Sequence, residues 1–151
     1  MKHSAFLLFL FCWIFHQPVN SQSNTVCTLE IKFTGIRTNK GLIAIGINRS
    51  PEGWPRQPHM DPNWKKTNVV DGVFIARVED LPYGTYAVSV LDDANSNLEM
   101  DMFLGIPKEG WGFSGNPPFK LSPPKFEQCS FVLDQPFKQI TIGLRYAGKG
   151  K

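Results

Sequence analysis

Between Asp92 and Asp101 the chain reads Asp-Asp-Ala-Asn-Ser-Asn-Leu-Glu-Met-Asp, with oxygen-bearing side chains at every second residue from Asp93 onward. With Asp93 as position 1, Asp93, Asn95, Asn97 and Asp101 fall at positions 1, 3, 5 and 9. Hard cations such as calcium take six to eight oxygens at about 2.3–2.6 Å, and this spacing can wrap four side chains round one point. Glu99 lies between them and can add its backbone carbonyl. Two departures separate the run from an EF-hand loop. Leu98 stands where glycine makes the sharp turn, and Leu104 stands where a bidentate glutamate closes the shell. A calcium ion in so open a shell would bind weakly, with a Kd of about 10⁻⁴–10⁻³ M. The competing reading is a polar turn in which Asn and Asp cap their own backbone.

A second group follows within the same long segment. Trp111 and Phe113 alternate with Gly110, Gly112 and Gly115, and Lys108 and Glu109 stand beside them. Glycines let the chain turn sharply and expose ring faces, while the two charged residues add polar handles. A ring-lined groove of this kind suits a glycan or an extended peptide. The alternative is that the rings plug the open end of the fold. Trp54 and Trp64, in an earlier proline-rich segment, carry the same ambiguity.

Catalytic patterns are weak. Gly112-Phe113-Ser114-Gly115-Asn116 misses the nucleophile elbow at its last glycine. His59 is the only histidine beyond the first 21 residues, too few for a zinc centre or an evident triad. Asp92, Asp93, Glu99 and Asp101 could supply a glycosidase-like acid pair, yet clustered acids more readily hold a cation. The expectation is a non-enzymatic protein, with a hydrolase as the remote alternative. A formal net charge of +3 gives no reason to expect a nucleic-acid partner.

These groups must be positioned by short strands. Gly 13 and Pro 12 in 151 residues break the chain too often for a helical bundle. Cys27–Arg37, Leu42–Asn48, Val73–Val78, Thr85–Leu91, Phe126–Leu133 and Gln139–Tyr146 alternate apolar and polar residues between turn signals. That pattern predicts an all-β, antiparallel β-sandwich. Two long loops interrupt it, Arg49–Asn68 and Asp92–Lys125. The second is rich in aromatics, including Phe103, Phe113 and Phe119, and is expected to fold back onto the sandwich.

The first 21 residues read as an export signal. Lys2 precedes the apolar run Ala5–Phe15, and Val19-Asn20-Ser21 offers a cleavage site. Residues 22–151 then form one domain, periplasmic or extracellular, with no transmembrane segment in the mature chain. Cys12 falls within the leader. Cys27 and Cys129 remain, each in phase with apolar neighbours (Leu29, Ile31 and Phe33; Phe131 and Leu133), so both thiols are expected to point inward. In an oxidising compartment the pair is expected to form a disulfide, the alternative being two separate buried thiols.

One series of motifs is specific enough to carry a resemblance. Leu81-Pro82-Tyr83-Gly84-Thr85-Tyr86-Ala87-Val88 is followed by the Asp93-x-Asn95-x-Asn97-x-x-x-Asp101 run. The block Phe103-Leu104-Gly105-Ile106-Pro107-Lys108-Glu109-Gly110-Trp111-Gly112-Phe113-Ser114 comes next, and Pro123-Pro124-x-Phe126 closes the series. Together they resemble the domain-of-unknown-function 2141 family of exported bacterial proteins, from about Cys27 to Tyr146. The resemblance implies a sandwich similar to transthyretin-like and carboxypeptidase-regulatory domains, and implies no activity or substrate. The family pattern usually has glycines where Ser96 and Leu98 stand here.

Overall fold

A computed structural model describes residues 25–118 and 122–147. The expected leader, Phe119 and the last four residues of the tail lie outside the described residues. Alternation in the sequence becomes β1 (Val26–Thr34), β2 (Leu42–Asn48), β4 (Phe74–Pro82), β5 (Gly84–Asp93) and β10 (Phe137–Gly143). The first long loop contributes β3 (Asn63–Lys65), and the second contributes β6 (Met102–Phe103), β7 (Ile106–Pro107) and β8 (Gly110–Phe113). One helical turn, α1 (Phe126–Cys129), leads into β9 (Phe131–Leu133).

Two sheets face each other. The smaller has the order β10-β1-β4 and the larger β3-β2-β5-β8, with β9 also pairing with β5. β6 and β7 form a separate hairpin. Among the described strands, β1 and β10 pair in parallel and the other ladders are antiparallel. Parallel neighbours need a long crossover, and here nearly the whole domain intervenes between β1 and β10.

Period 2 decides the core. Leu29, Ile31 and Phe33 of β1 meet Ile43, Ile45 and Ile47 of β2 and Tyr86, Val88 and Val90 of β5, all buried in one cluster. On the opposite face of β1, Glu30 accepts from Arg77 of β4 at 2.7 Å and from Gln139 of β10 at 2.6 Å, tying the small sheet crosswise. The Arg77 guanidinium first, and the Gln139 amide second, hold its carboxyl below the usual range.

Two expectations need correction. Phe126–Leu133 is not one strand: the Lys125 N–H donates to Gln128 Oε1 at 2.9 Å, nucleating the turn of α1 before β9 begins. Cys129 consequently leaves the strand phase. Cys27 and Cys129 are both buried, but as free thiols, and the expected bridge is not formed. Cys27 packs in the core with Tyr86 and Val88, whereas Cys129 packs with Ala87 and Phe126 in a second cluster. Consecutive residues of a strand face opposite sides, so β5 stands between the two thiols. Among the described residues, no helix is long and apolar enough to cross a membrane.

Candidate functional site: a groove on the large sheet

The alternation of glycine and aromatic residues in β8 has a steric cause. Gly110 and Gly112 are buried on the inner side, where a Cβ would lie 2.5 Å from the Tyr146 ring and 2.8 Å from Ile142 Cγ2 respectively. Side chains of β8 can therefore project only outward, and Trp111 and Phe113 do so, partly exposed.

Register places them in two rows across the outer face. Asn63, Ala44, Leu91 and Trp111 are successive cross-strand partners, as are Gly46, Ser89 and Phe113. Small residues on β2 and β5 leave a hollow, and the rings rise beside it. The long loops form its walls. On one side Trp54 packs on Phe113, with centroids 5.8 Å apart, and edge-on to Phe126 at 6.0 Å. Its indole N–H donates to the Pro124 carbonyl at 2.9 Å. Pro58 lies over Gly46, where a Cβ would stand 3.1 Å from the proline Cβ. On the other side are Met100, Met102, Ile106 and Pro107. The resulting groove measures about 910 Å³, within the usual size of a small-molecule site.

Not every expected residue belongs to it. Trp64 packs against the core between the sheets. Lys108 and Glu109 do not line the groove. Glu109 is buried, and its carboxylate accepts from the Ala94 N–H at 2.9 Å and the Asp101 N–H at 3.3 Å. That carboxylate braces the acidic loop from below.

The acidic loop does bring Asp93, Asn95, Asn97 and Asp101 together, and their oxygens are turned onto N–H groups. Asp93 is fully buried and accepts from the backbone of Ser96 at 2.6 Å, Asn97 at 3.2 Å and Leu98 at 2.8 Å. Asn95 Oδ1 accepts from the Asn97 N–H, and Asn97 Oδ1 from the Glu99 N–H. Asp101 accepts from both side-chain amides, Asn95 at 2.9 Å and Asn97 at 3.3 Å. Ser96 and Leu98 take positive φ, 63° and 62°, a backbone region that glycine enters more readily. The arrangement is that of successive Asx turns. Among the described residues, no group of three or more His, Cys, Asp or Glu converges as a metal site.

A smaller cavity of about 620 Å³ adjoins the groove at Trp111 and is also lined by Arg37, Arg145 and Tyr146. Its floor is polar. Asp92, buried at the end of β5, is bonded to both Lys66 Nζ and the Tyr146 hydroxyl. That hydroxyl accepts from the Arg37 N–H at 3.2 Å, and the Arg37 guanidinium lies 4.1 Å above the ring. Burial first, and then Asp92, raise the Tyr146 pKa above the ordinary phenol value. Nothing in the sequence placed Tyr146 or Arg145 here, because both reach the site through a bridge between residues 111 and 145.

Ser114 has a structural task. Its buried hydroxyl donates to the Cys129 carbonyl at 2.6 Å and accepts from the Val88 N–H at 2.9 Å, joining α1 to β5. His59 is exposed on the first long loop.

These features define an open all-β sandwich with a loop-walled groove on one sheet. The chain belongs to the family described as an uncharacterized protein conserved in bacteria (DUF2141), whose model matches residues 31–141. No curated protein and no solved structure matches it.

Proposed function

We propose that this protein is a non-enzymatic binding module, exported after removal of residues 1–21, whose ligand lies in the groove beside Trp111 and Phe113. The observation that carries this reading is the one-sided packing of β8, which commits both rings to the outer face between the two long loops. A lining rich in proline, methionine and aromatic side chains suits a ligand with a sizeable apolar body. A glycan, whose hydroxyls each need a partner, is served less well. The hydrogen bonds inside the acidic loop support a role as a brace for one wall, with no cation required.

The neutral apolar dye N-phenyl-1-naphthylamine tests this. Its fluorescence should rise on binding, and the double substitution Trp111→Ala, Phe113→Ala should weaken binding by about tenfold or more, since each ring contributes about 1.5–3 kcal/mol when covered. No enhancement, or equal enhancement in the variant, would remove the groove from consideration.

A further inference from the structure

We infer that the ligand is an anionic amphiphile: a single-chain carboxylate whose tail lies along Trp111 and Phe113 and whose head group is held by Arg145. This rests on the groove reading above. Trp111, Arg145 and Ala147 border both cavities, so groove and side cavity meet there. Trp111 and Arg145 exchange backbone hydrogen bonds of 2.9 and 2.8 Å, which anchors the stem of the arginine beside the ring.

Charge at this junction is one-sided. The charged groups lining the groove are Arg56, Arg145 and Asp61, so two guanidinium groups stand against a single acid. Among the described residues the ion pairs are Lys66–Asp92 and Arg77–Glu30, and Arg145 belongs to neither. Its Nη2 donates to the Pro117 carbonyl at 2.6 Å. A guanidinium carries five N–H donors, leaving capacity for the two-pronged contact that a carboxylate makes.

The groove floor argues for an acyl chain over a peptide. Strands β2 and β5 spend their main-chain groups in ladders on both sides. They can offer little to a peptide backbone, whose own N–H and C=O groups need partners. A hydrocarbon tail needs none, and Met100 and Met102 can adapt to its shape.

The test is displacement of N-phenyl-1-naphthylamine from the purified protein by dodecanoate, dodecanol and dodecyltrimethylammonium, each below its micelle concentration. Dodecanoate should displace the dye at about tenfold lower concentration than dodecanol, with the cationic chain weakest. In Arg145→Gln the preference of dodecanoate over dodecanol should collapse toward unity, while Arg145→Lys should keep part of it. Equal displacement by acid and alcohol, a preference for the cation, or an undiminished acid preference in Arg145→Gln would each overturn the head-group assignment while leaving the groove in place. Failure of the dye and all three chains to bind would overturn the groove itself.

Discussion

Gly110 lies flat against the ring of Tyr146, so close that a Cβ on the glycine would stand 2.5 Å from ring carbons Cε1 and Cζ. Gly110→Ala must push that ring off Asp92 or bend β8. Overpacking of this kind costs about 1–3 kcal/mol, and urea denaturation should show a lower midpoint at unchanged slope. Gly112→Ala, against Ile142, should do the same. Wild-type midpoints in both variants would mean that β8 can move freely, and that its rings are not committed to the outer face.

Asp93 should matter to stability whether or not calcium is present. Its buried carboxylate accepts three backbone N–H groups, and hydrogen bonding to a charged group contributes about 1.5–3 kcal/mol net. Asp93→Ala should cost about 2–3 kcal/mol net in chelator, and millimolar calcium should not change that difference. A variant as stable as wild type in chelator, combined with a wild-type melting temperature raised by calcium, would make the loop a cation site instead.

The buried pair Lys66–Asp92 pins the end of β5 to the first long loop. Removing one partner of such a pair leaves the other uncompensated, at a cost of about 3–5 kcal/mol. Lys66→Met should therefore destabilise far more than Arg77→Met, whose guanidinium is exposed and whose buried partner Glu30 keeps the Gln139 amide at 2.6 Å. Similar losses in the two variants would contradict the burial of Lys66.

Both thiols should be free and unreactive in the native state. Alkylation without reductant should leave Cys27 and Cys129 unmodified until denaturant is added, then label both; peptide mass spectrometry would reveal a bridge if one existed. Burial pushes the Cys129 thiol up to about 11 from 9.0. Between those values the folded state binds more protons than the unfolded chain, so stability falls as pH rises through the window from 9 to 11. Cys129→Ala should flatten that fall. An unchanged slope would place the thiol in contact with water.

The strands were legible where alternation was strict: Leu42–Asn48 is β2, residue for residue, and the inward phase of Cys27, Leu29, Ile31 and Phe33 is the phase of β1. Alternation misled at Phe126–Leu133, because a side-chain cap from Gln128 is worth more locally than two-residue periodicity over so short a run. The disulfide expectation failed with it, since no local pattern shows which face of which sheet receives a residue after a turn. Trp111 and Phe113 were legible as candidate ligand contacts. The reason for their exposure was not, because it depends on Tyr146 and Ile142, some thirty residues away. Lys108 and Glu109 looked equivalent in sequence, yet burial turned Glu109 into a brace for the loop above it.

Mapping by backbone and indole NMR tests the central claim most directly. On titration with N-phenyl-1-naphthylamine, shifts should concentrate at Ala44, Ser89, Leu91, Phe113 and the Trp111 indole, with the small sheet (Ile75, Arg77, Gln139) silent. Shifts centred on β4 and β10, or none at saturating dye, would contradict a ligand groove on the outer face of the large sheet.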